Sequence, residues 1–288
     1  MVRELLTQKD QLTDKTGLVS LLFNDLIGES FLFSKGDAHW KAKRQACAHA
    51  FYKDRIAEMM QSLKRRCEGT FDKWTEEIKA SPEGSKVIDI AKEVEGLLAQ
   101  NIIMIAFGED INDEKFDLLV TTELMGTEFV KKTVTLGEAV HECVQQVMQT
   151  FLKLGNPIFR LRQRYLGKST NFTAYERQVT ENCTTLRNHV LKYVRARKDG
   201  SRQSEVGNNA DLLSLFFKSP DVFTEKVIVD ELLDFFMAGT QTLSFAIQCL
   251  LCHYATAPES LNKIRAELNS MVRDTAYEGR KDMLDKTI

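Results

Sequence analysis

A run of 24 residues without Asp, Glu, Lys or Arg, from Phe235 to Pro258, constrains this fold more than any other feature. Such a run is long enough to span a bilayer. Polar residues within it favour a core helix instead: Thr240, Gln241, Thr242, Ser244, Gln248, His253 and Thr256. We therefore predict a fully buried central helix that begins after an N-cap at Thr224 and ends at Thr256. Pro258 suits the first turn of the next helix.

Composition places the remainder of the chain among helical globular proteins. Apolar residues recur with the helical period along most of the 288 residues, strand-like alternation is almost absent, and four prolines lie at breaks. The 39 basic and 41 acidic residues are mixed along the chain, which argues against nucleic acid as a ligand. With six scattered cysteines and no apolar leader, we expect a soluble intracellular protein with free thiols.

The coarse order of elements follows from caps and breaks. Two short helices are predicted in residues 1–33, and a helix capped by Asp37 follows. The segment VIDIAKEVEGLLAQNIIMIAFG predicts a short extended piece and then a helix, and residues 113–197 predict further helices. A loop is predicted at 198–210 and a polar surface segment at 273–288.

A strip of small residues lies on one face of the central helix: Ala238, Gly239, Thr242, Ala246 and Cys249. Glycine costs about 1 kcal/mol relative to alanine inside a helix, so its presence needs a reason. Two interpretations remain open, namely a close helix–helix crossing and a flat ligand lying on the strip. Thr242 is also able to bond back to the carbonyl of Ala238 and open the helix there.

The motif AGTQT at 238–242 resembles the oxygen-binding helix of the cytochrome P450 family, whose pattern is [A/G]-G-x-[D/E]-T. Ala238, Gly239 and Thr242 match this pattern, whereas Gln241 stands where the family has an acid. APESLNKIRAEL resembles the family's following helix.

A second landmark is Trp40 and Arg44 in GDAHWKAKRQACAHAF, which resembles the family's W-x-x-x-R helix. The spacing puts both side chains on one helix face. The resemblance implies that this pair holds a haem propionate, and guanidinium binding of carboxylates is physically sound. The alternative to a ligand site is an amphipathic helix on which a half-buried tryptophan lies beside a solvated arginine. Segments resembling the family, including one that ends at Phe107-Gly108 and one at 209–217, follow in the family's order.

The resemblance implies a mainly α, incomplete cytochrome P450 fold, a single domain over 1–288 truncated at both ends. It implies a haem monooxygenase that uses O2 to oxidise a small apolar substrate. The implied electron donor is an NADPH-dependent reductase or a ferredoxin. The implied location of the full-length protein is the cytoplasmic side of the endoplasmic reticulum membrane. Thr242 would guide protons to bound oxygen, Ala238 and Gly239 would leave its pocket open, and Gln241 would relay hydrogen bonds without titrating. The axial cysteine and its E-x-x-R helix lie outside this chain, as would any membrane anchor.

Two alternatives remain: a catalytically inactive helical interaction protein of the same family, and a helical protein unrelated to haem. Other motifs favour neither metal nor nucleophilic chemistry. We interpret Cys249 and Cys252, a C-x-x-C pair in an apolar helix, as core residues, because a zinc site needs a second pair. The five histidines lack metal-ligand spacing, and no phosphate loop or nucleophile elbow is present.

Overall fold

A computed structural model describes residues 18–111, 114–166, 173–206 and 211–274. The helices are α1 (Leu18–Ile27), α2 (Ala38–Ala48), α3 (Lys53–Ala80), α4 (Ile90–Phe107), α5 (Leu136–Thr150), α6 (Pro157–Tyr165), α7 (Ala174–Lys198), α8 (Leu212–Phe216), α9 (Glu225–Thr256) and α10 (Pro258–Asp274). Short 3-10 turns follow α2 (His49–Phe51) and α5 (Phe151–Gly155). The prediction of a mainly α fold is confirmed. Predictions for residues 1–17 and 275–288 lie outside the described residues.

The predicted helix ends agree with the structure wherever a local cap defines them. The Asp37 carboxylate accepts a hydrogen bond from the amide of Trp40 and begins α2. Thr224 caps α9 in the same way, α9 ends at Thr256, and α10 begins at Pro258. These ends were readable because a cap needs only residues within one turn of it.

The prediction of helical segments between about 113 and 197 is wrong at its start, where two strands form a hairpin. Strands β1 (Phe116–Val120) and β2 (Val130–Val134) pair antiparallel, with Phe116 opposite Val134. Asn182 of α7 fixes the hairpin, since its side chain bonds both the amide and the carbonyl of Leu119 at 3.3 and 2.6 Å. Strands of five residues give too short an alternation to detect in sequence. Residues 87–89, the predicted extended piece, are not in a strand.

Helix α9 runs through the fold and packs mainly along α4, with α1, α5 and α7 also against it. Its N-terminal half is in the core, where these side chains are buried: Ile228, Val229, Leu232, Leu233 and Phe236. The prediction of a fully buried helix is wrong for the C-terminal half. There Phe245 is 69% exposed, and Leu243, Leu250 and Leu251 are also exposed. Among the described elements, only α10 comes after α9 in the chain, and no described element covers these side chains. By length and composition alone, α9 also qualifies as a membrane span.

Cys249 and Cys252, which the sequence analysis places in the core, are exposed on this C-terminal half. The prediction is wrong because it inferred burial from the apolar composition of the neighbouring residues. Composition says which side chains favour burial, and the elements that pack on a helix decide which are buried.

Candidate functional site

Thr242 lies at the start of the exposed half of α9. Its Oγ1 donates to the carbonyl of Ala238 at 2.7 Å, which is the predicted back bond, and both residues are exposed. The predicted opening of the turn does not occur, since α9 is α-helical without interruption from Glu225 to Thr256. The Thr242 hydroxyl can therefore accept a hydrogen bond from water as it stands, while donation to a ligand needs its hydrogen to rotate about the Cβ–Oγ1 bond, away from Ala238.

Gly239 has a packing function that separates it from the rest of the small-residue strip. A Cβ at this position would lie 2.6 Å from Cδ1 and 3.1 Å from Cγ1 of Ile102 in α4. The glycine thus permits close approach of α4 and α9. Ala238 and Thr242 remain exposed, and Phe245, three residues later on the same face, interrupts the strip. Of the two interpretations left open above, the helix crossing accounts for Gly239, and a ligand face is left at Ala238 and Thr242.

Gln241 is half-buried and points toward α5. Its Nε2 lies 3.0 Å from Nδ1 of His141, and the same Nδ1 lies 3.1 Å from Oε2 of Glu95 in α4. A neutral imidazole with a bare Nδ1 accepts from Gln241, whereas a protonated one donates to Glu95. The three side chains border a cleft of about 600 Å3 between α4, α5 and α9. Sequence reasoning missed His141 and Glu95, because no local signal connects residues 100 positions apart.

Trp40 and Arg44 lie on the same face of α2, as their spacing predicts. The guanidinium carbon of Arg44 is 5.3 Å from the centroid of the Trp40 ring, a cation–π contact. The indole N–H was predicted to contact a carboxylate ligand, and here it donates to the carbonyl of Phe31 at 2.8 Å. Arg44 is exposed. The arginine is therefore open to an anionic group, and the tryptophan anchors the segment that precedes α2.

Three buried carboxylates of α9 hold that same segment, residues 28–34. Each accepts a hydrogen bond from a backbone amide: Asp230 from Glu29 (2.9 Å), Glu231 from Phe31 (3.1 Å) and Asp234 from Leu32 (3.3 Å). Buried carboxylates are costly unless paired or hydrogen-bonded. The segment, α2 and the N-terminal half of α9 thus form one framework under the candidate site.

Two cations enter this carboxylate cluster. Nζ of Lys43 in α2 lies 2.9 Å from Oε1 of Glu231, and Arg187 of α7 pairs with Asp230. Burial, followed by the charge of Glu231, raises the pKa of Asp234 to about 7. Burial also raises the pKa of Glu231, although Lys43 opposes the shift. Sequence reasoning missed this cluster, because its acidic residues look like a solvated helix face.

Within residues 18–111, 114–166, 173–206 and 211–274, no group of His, Cys, Asp and Glu side chains is arranged to hold a metal ion. Burial raises the pKa of the Cys47 thiol to about 12, with the Glu231 carboxylate adding to the effect. A thiol in that environment is a poor source of the thiolate that metals bind.

Comparison with known proteins decides the family. The cytochrome P450 family model matches residues 1–286. The chain belongs to the cytochrome P450 family. The matched range contains both motifs identified from sequence, at 40–44 and 238–242.

Curated relatives of this cytochrome P450 chain include two plant proteins. Cytochrome P450 CYP94D109 of Paris polyphylla is 24% identical over 252 residues, covering 86% of this chain and 46% of the relative. Cytokinin hydroxylase of Arabidopsis thaliana is 23% identical over 284 residues, covering 94% and 47%. The chain spans about half the length of the curated relatives it matches.

Solved cytochrome P450 structures share the fold. The retinoic acid-bound cyanobacterial CYP120A1 aligns with a TM-score of 0.66 at 13% identity, over 93% of this chain and 52% of that one. At this identity the likeness supports the fold alone. The incomplete cytochrome P450 fold predicted from sequence is confirmed.

Proposed function

We propose that this chain lies over the oxygen-binding face of haem in a haem-thiolate monooxygenase that oxidises an apolar organic substrate. The observation that carries the proposal is the exposed face of α9 at Ala238 and Thr242, where a hydroxyl lies beside a small side chain at the start of the uncharged half of the helix. Haem bound through a cysteine thiolate supplies O2 activation, with two electrons from an NADPH-dependent reductase or a ferredoxin.

The residues of this chain fit one side of haem. Ala238 leaves room above a flat ring, and the apolar side chains that follow it on α9 suit a porphyrin plane. Arg44 is an exposed cation able to hold a propionate. Cys47 does not fit as the thiolate ligand because its side chain is buried within the hydrophobic core, whereas Ala238 and Thr242 are exposed. The proposal therefore takes the cysteine thiolate that would hold haem iron from outside this chain, together with any anchor to the endoplasmic reticulum membrane.

Thr242 has the clearest chemical task in this proposal. Its oxygen can hold a water molecule near the ligand face while its hydrogen is engaged with Ala238. Gly239 supports this face through the contact with Ile102. Gln241 cannot titrate, and its amide is held by His141. Proton delivery thus depends on water ordered at Thr242 more than on a side-chain acid at position 241.

The test compares Thr242→Ala with Thr240→Val in the whole haem-loaded protein. Thr240 is a matched control, since its hydroxyl bonds the Phe236 carbonyl at 2.8 Å and is buried away from the proposed face. We expect Thr242→Ala to lower product formed per reductant consumed by roughly tenfold, with Thr240→Val close to the parent. Equal coupling in both variants would remove Thr242 from this role.

A spectrum of the reduced protein with carbon monoxide tests thiolate ligation separately. The alternative function, an inactive helical interaction protein of the same family, predicts a folded protein that takes up no haem. Haem uptake with a thiolate spectrum supports the monooxygenase, and its absence in the whole protein supports the alternative.

A further inference from the structure

The imidazole of His141 meets two side chains through a single ring nitrogen. Its Nδ1 lies 3.0 Å from Nε2 of Gln241 in α9 and 3.1 Å from Oε2 of Glu95 in α4. One nitrogen either carries a hydrogen or presents a lone pair. A bare Nδ1 accepts from Gln241 and repels the carboxylate, whereas a protonated Nδ1 donates to Glu95 and cannot accept from Gln241. The two hydrogen bonds therefore exclude each other, and the position of one proton decides which of them forms.

Gln241 and Glu95 both depend on His141 for this contact. Among the residues that the structure describes, the Gln241 side chain makes no other hydrogen bond, and Glu95 forms no ion pair with a lysine or an arginine. The His141 side chain is 36% exposed, so water can deliver and remove its proton. The Glu95 carboxylate attracts a proton to Nδ1, whereas the Gln241 donor requires the bare nitrogen.

Other charged side chains border the same cleft without contacting the imidazole. They are Asp89, Lys92, Lys132, Glu138 and Glu142. Lys132 pairs with Glu142. Asp89 and Glu138 accept from backbone amides at the N-termini of α4 and α5, and Lys92 is exposed. Within the described part of the chain, Glu95 is thus the charged group in direct contact with His141, and α9 contributes no charge to this cleft.

The direction of the Gln241 amide matters because Gln241 directly precedes Thr242, the residue to which the proposed function assigns an ordered water. With Nε2 held by His141, Oε1 is the end of the amide that is left to accept from water. Once Nδ1 carries a hydrogen, Nε2 is released and the amide can turn. His141 therefore decides whether the side chain beside Thr242 is fixed or free.

We propose that His141 is a positioning residue for Gln241. With Nδ1 bare, the imidazole holds the amide against α5, and protonation moves the hydrogen bond to Glu95 and releases the amide. The inference rests on the proposed function for its effect on catalysis, while the exchange of hydrogen bonds does not depend on haem.

An NMR experiment on the chain labelled with 15N in histidine and glutamine tests the exchange without haem. The 15N signal of Nδ1 distinguishes the bare nitrogen from the protonated one. Between about pH 8 and about pH 5, where histidine side chains change charge, we expect Nδ1 of His141 to take up a proton. The side-chain amide signal of Gln241 should shift with the same midpoint. A Gln241 amide signal that stays constant across this range would overturn the proposal.

Two substitutions at position 141 separate holding from titration. His141→Asn keeps an acceptor, because its Oδ1 is attached to Cγ as Nδ1 is in histidine, and it does not take up a proton. The Gln241 amide signal should then stay at its high-pH position. His141→Leu removes the acceptor, so the signal should stay at its low-pH position. His39→Asn, at an exposed position of α2, is the matched control and should respond like the parent. A pH-dependent Gln241 signal in His141→Asn would contradict the assignment.

Product formed per reductant consumed in the whole haem-loaded protein tests the consequence for catalysis. The ratio of this coupling in His141→Asn to that in the parent should rise by about threefold from pH 8 to pH 6, because only the parent releases Gln241. A constant ratio would overturn the positioning role. Failure of the proposed function itself is distinguishable, since Thr242→Ala and Thr240→Val would then couple equally while the exchange seen by NMR persists.

Discussion

Nζ of Lys43 lies 2.9 Å from Oε1 of Glu231, and both side chains are excluded from solvent, at 1% and 0% exposure. The pair joins α2, which carries Trp40 and Arg44, to α9, which carries Thr242. Lys43 also donates to the carbonyl of Glu29 and, at 3.1 Å, approaches Oγ of Ser34. One buried ammonium thus fixes the relative position of the two elements that bear the candidate site residues.

Replacing this lysine should be costly. In Lys43→Met the Glu231 carboxylate stays buried without its counter-ion, so we expect the free energy of unfolding to fall by about 3–5 kcal/mol. Urea denaturation measures the change. Lys43→Met/Glu231→Gln should recover part of the loss, because no uncompensated charge remains. Lys41→Met is the control at an exposed position of α2, and it should change stability by less than about 0.5 kcal/mol. A similarly small effect of Lys43→Met would contradict the buried pair.

The raised pKa of Asp234 should make the stability of the protein depend on pH. With a folded-state pKa of about 7 and an unfolded value of about 3.9, only the folded protein holds this proton between these pH values. The free energy of unfolding therefore receives a contribution that declines as pH rises through this window, by up to about 1.4 kcal/mol per pH unit, and is flat above it.

Asp234→Asn should remove that contribution, because the amide mimics the protonated acid. Relative to the parent, we expect the variant to gain stability steadily from pH 5 to pH 7 and then to level off, as measured by urea denaturation at each pH. Asp221→Asn, at an exposed position before α9, should show no such trend. A pH-independent difference between Asp234→Asn and the parent would mean that Asp234 is ionised throughout.

The close approach of α4 and α5 should be sensitive to a single methyl group. A Cβ at Gly137 would lie 2.6 Å from Cβ of Ala99, and that methyl has no rotamer into which it can retreat. We expect Gly137→Ala to lower the free energy of unfolding by about 1–3 kcal/mol. Gly96→Ala is the matched control within α4, where an added Cβ meets nothing within 4 Å, and it should stabilise by about 0.5–1 kcal/mol. Stabilisation by both substitutions would contradict the packing of these helices.

Thiol labelling should distinguish the exposed C-terminal half of α9 from the buried core beside its N-terminal half. Cys249 and Cys252 are exposed, so they should react with iodoacetamide at pH 8 as accessible thiols. Cys47 is buried with a pKa of about 12, and it should react at least about 100-fold more slowly. Mass spectrometry of the peptides measures the rates, and unfolding in urea should make them equal. Protection of Cys249 and Cys252 would show that the C-terminal half of α9 is covered in solution.

Much of the local architecture was predictable from sequence. Asp37, Thr224 and Pro258 mark helix ends because their effects depend on hydrogen bonds within one turn. The hairpin β1–β2 was not predictable in this way. Strand β1 is held by Asn182, 63 positions away from the strand residue that it contacts.

For the candidate site, the sequence predicted which residues take part but not which residues they contact. AGTQT and Trp40 with Arg44 were identified from sequence, but their partners were not. Gln241 meets His141, and Trp40 donates to Phe31. The contact between Gln241 and His141 has no sequence signal, because the helices that carry them meet only when they pack. Phe31 lies nine residues before Trp40, but nothing in the sequence marks its carbonyl as the acceptor.

The sequence by itself determined where α9 begins and ends and that it carries the family's motif, since both depend on neighbouring residues. Only the tertiary structure decided which half is buried, and the buried half is the opposite of the one that composition predicts. The half with Asp230, Glu231 and Asp234 is enclosed, whereas the uncharged half with Phe245 is exposed. The reason is that amides about 200 residues earlier and the cations Lys43 and Arg187 offset the cost of burying the carboxylates. An apolar surface is buried only where another element packs on it.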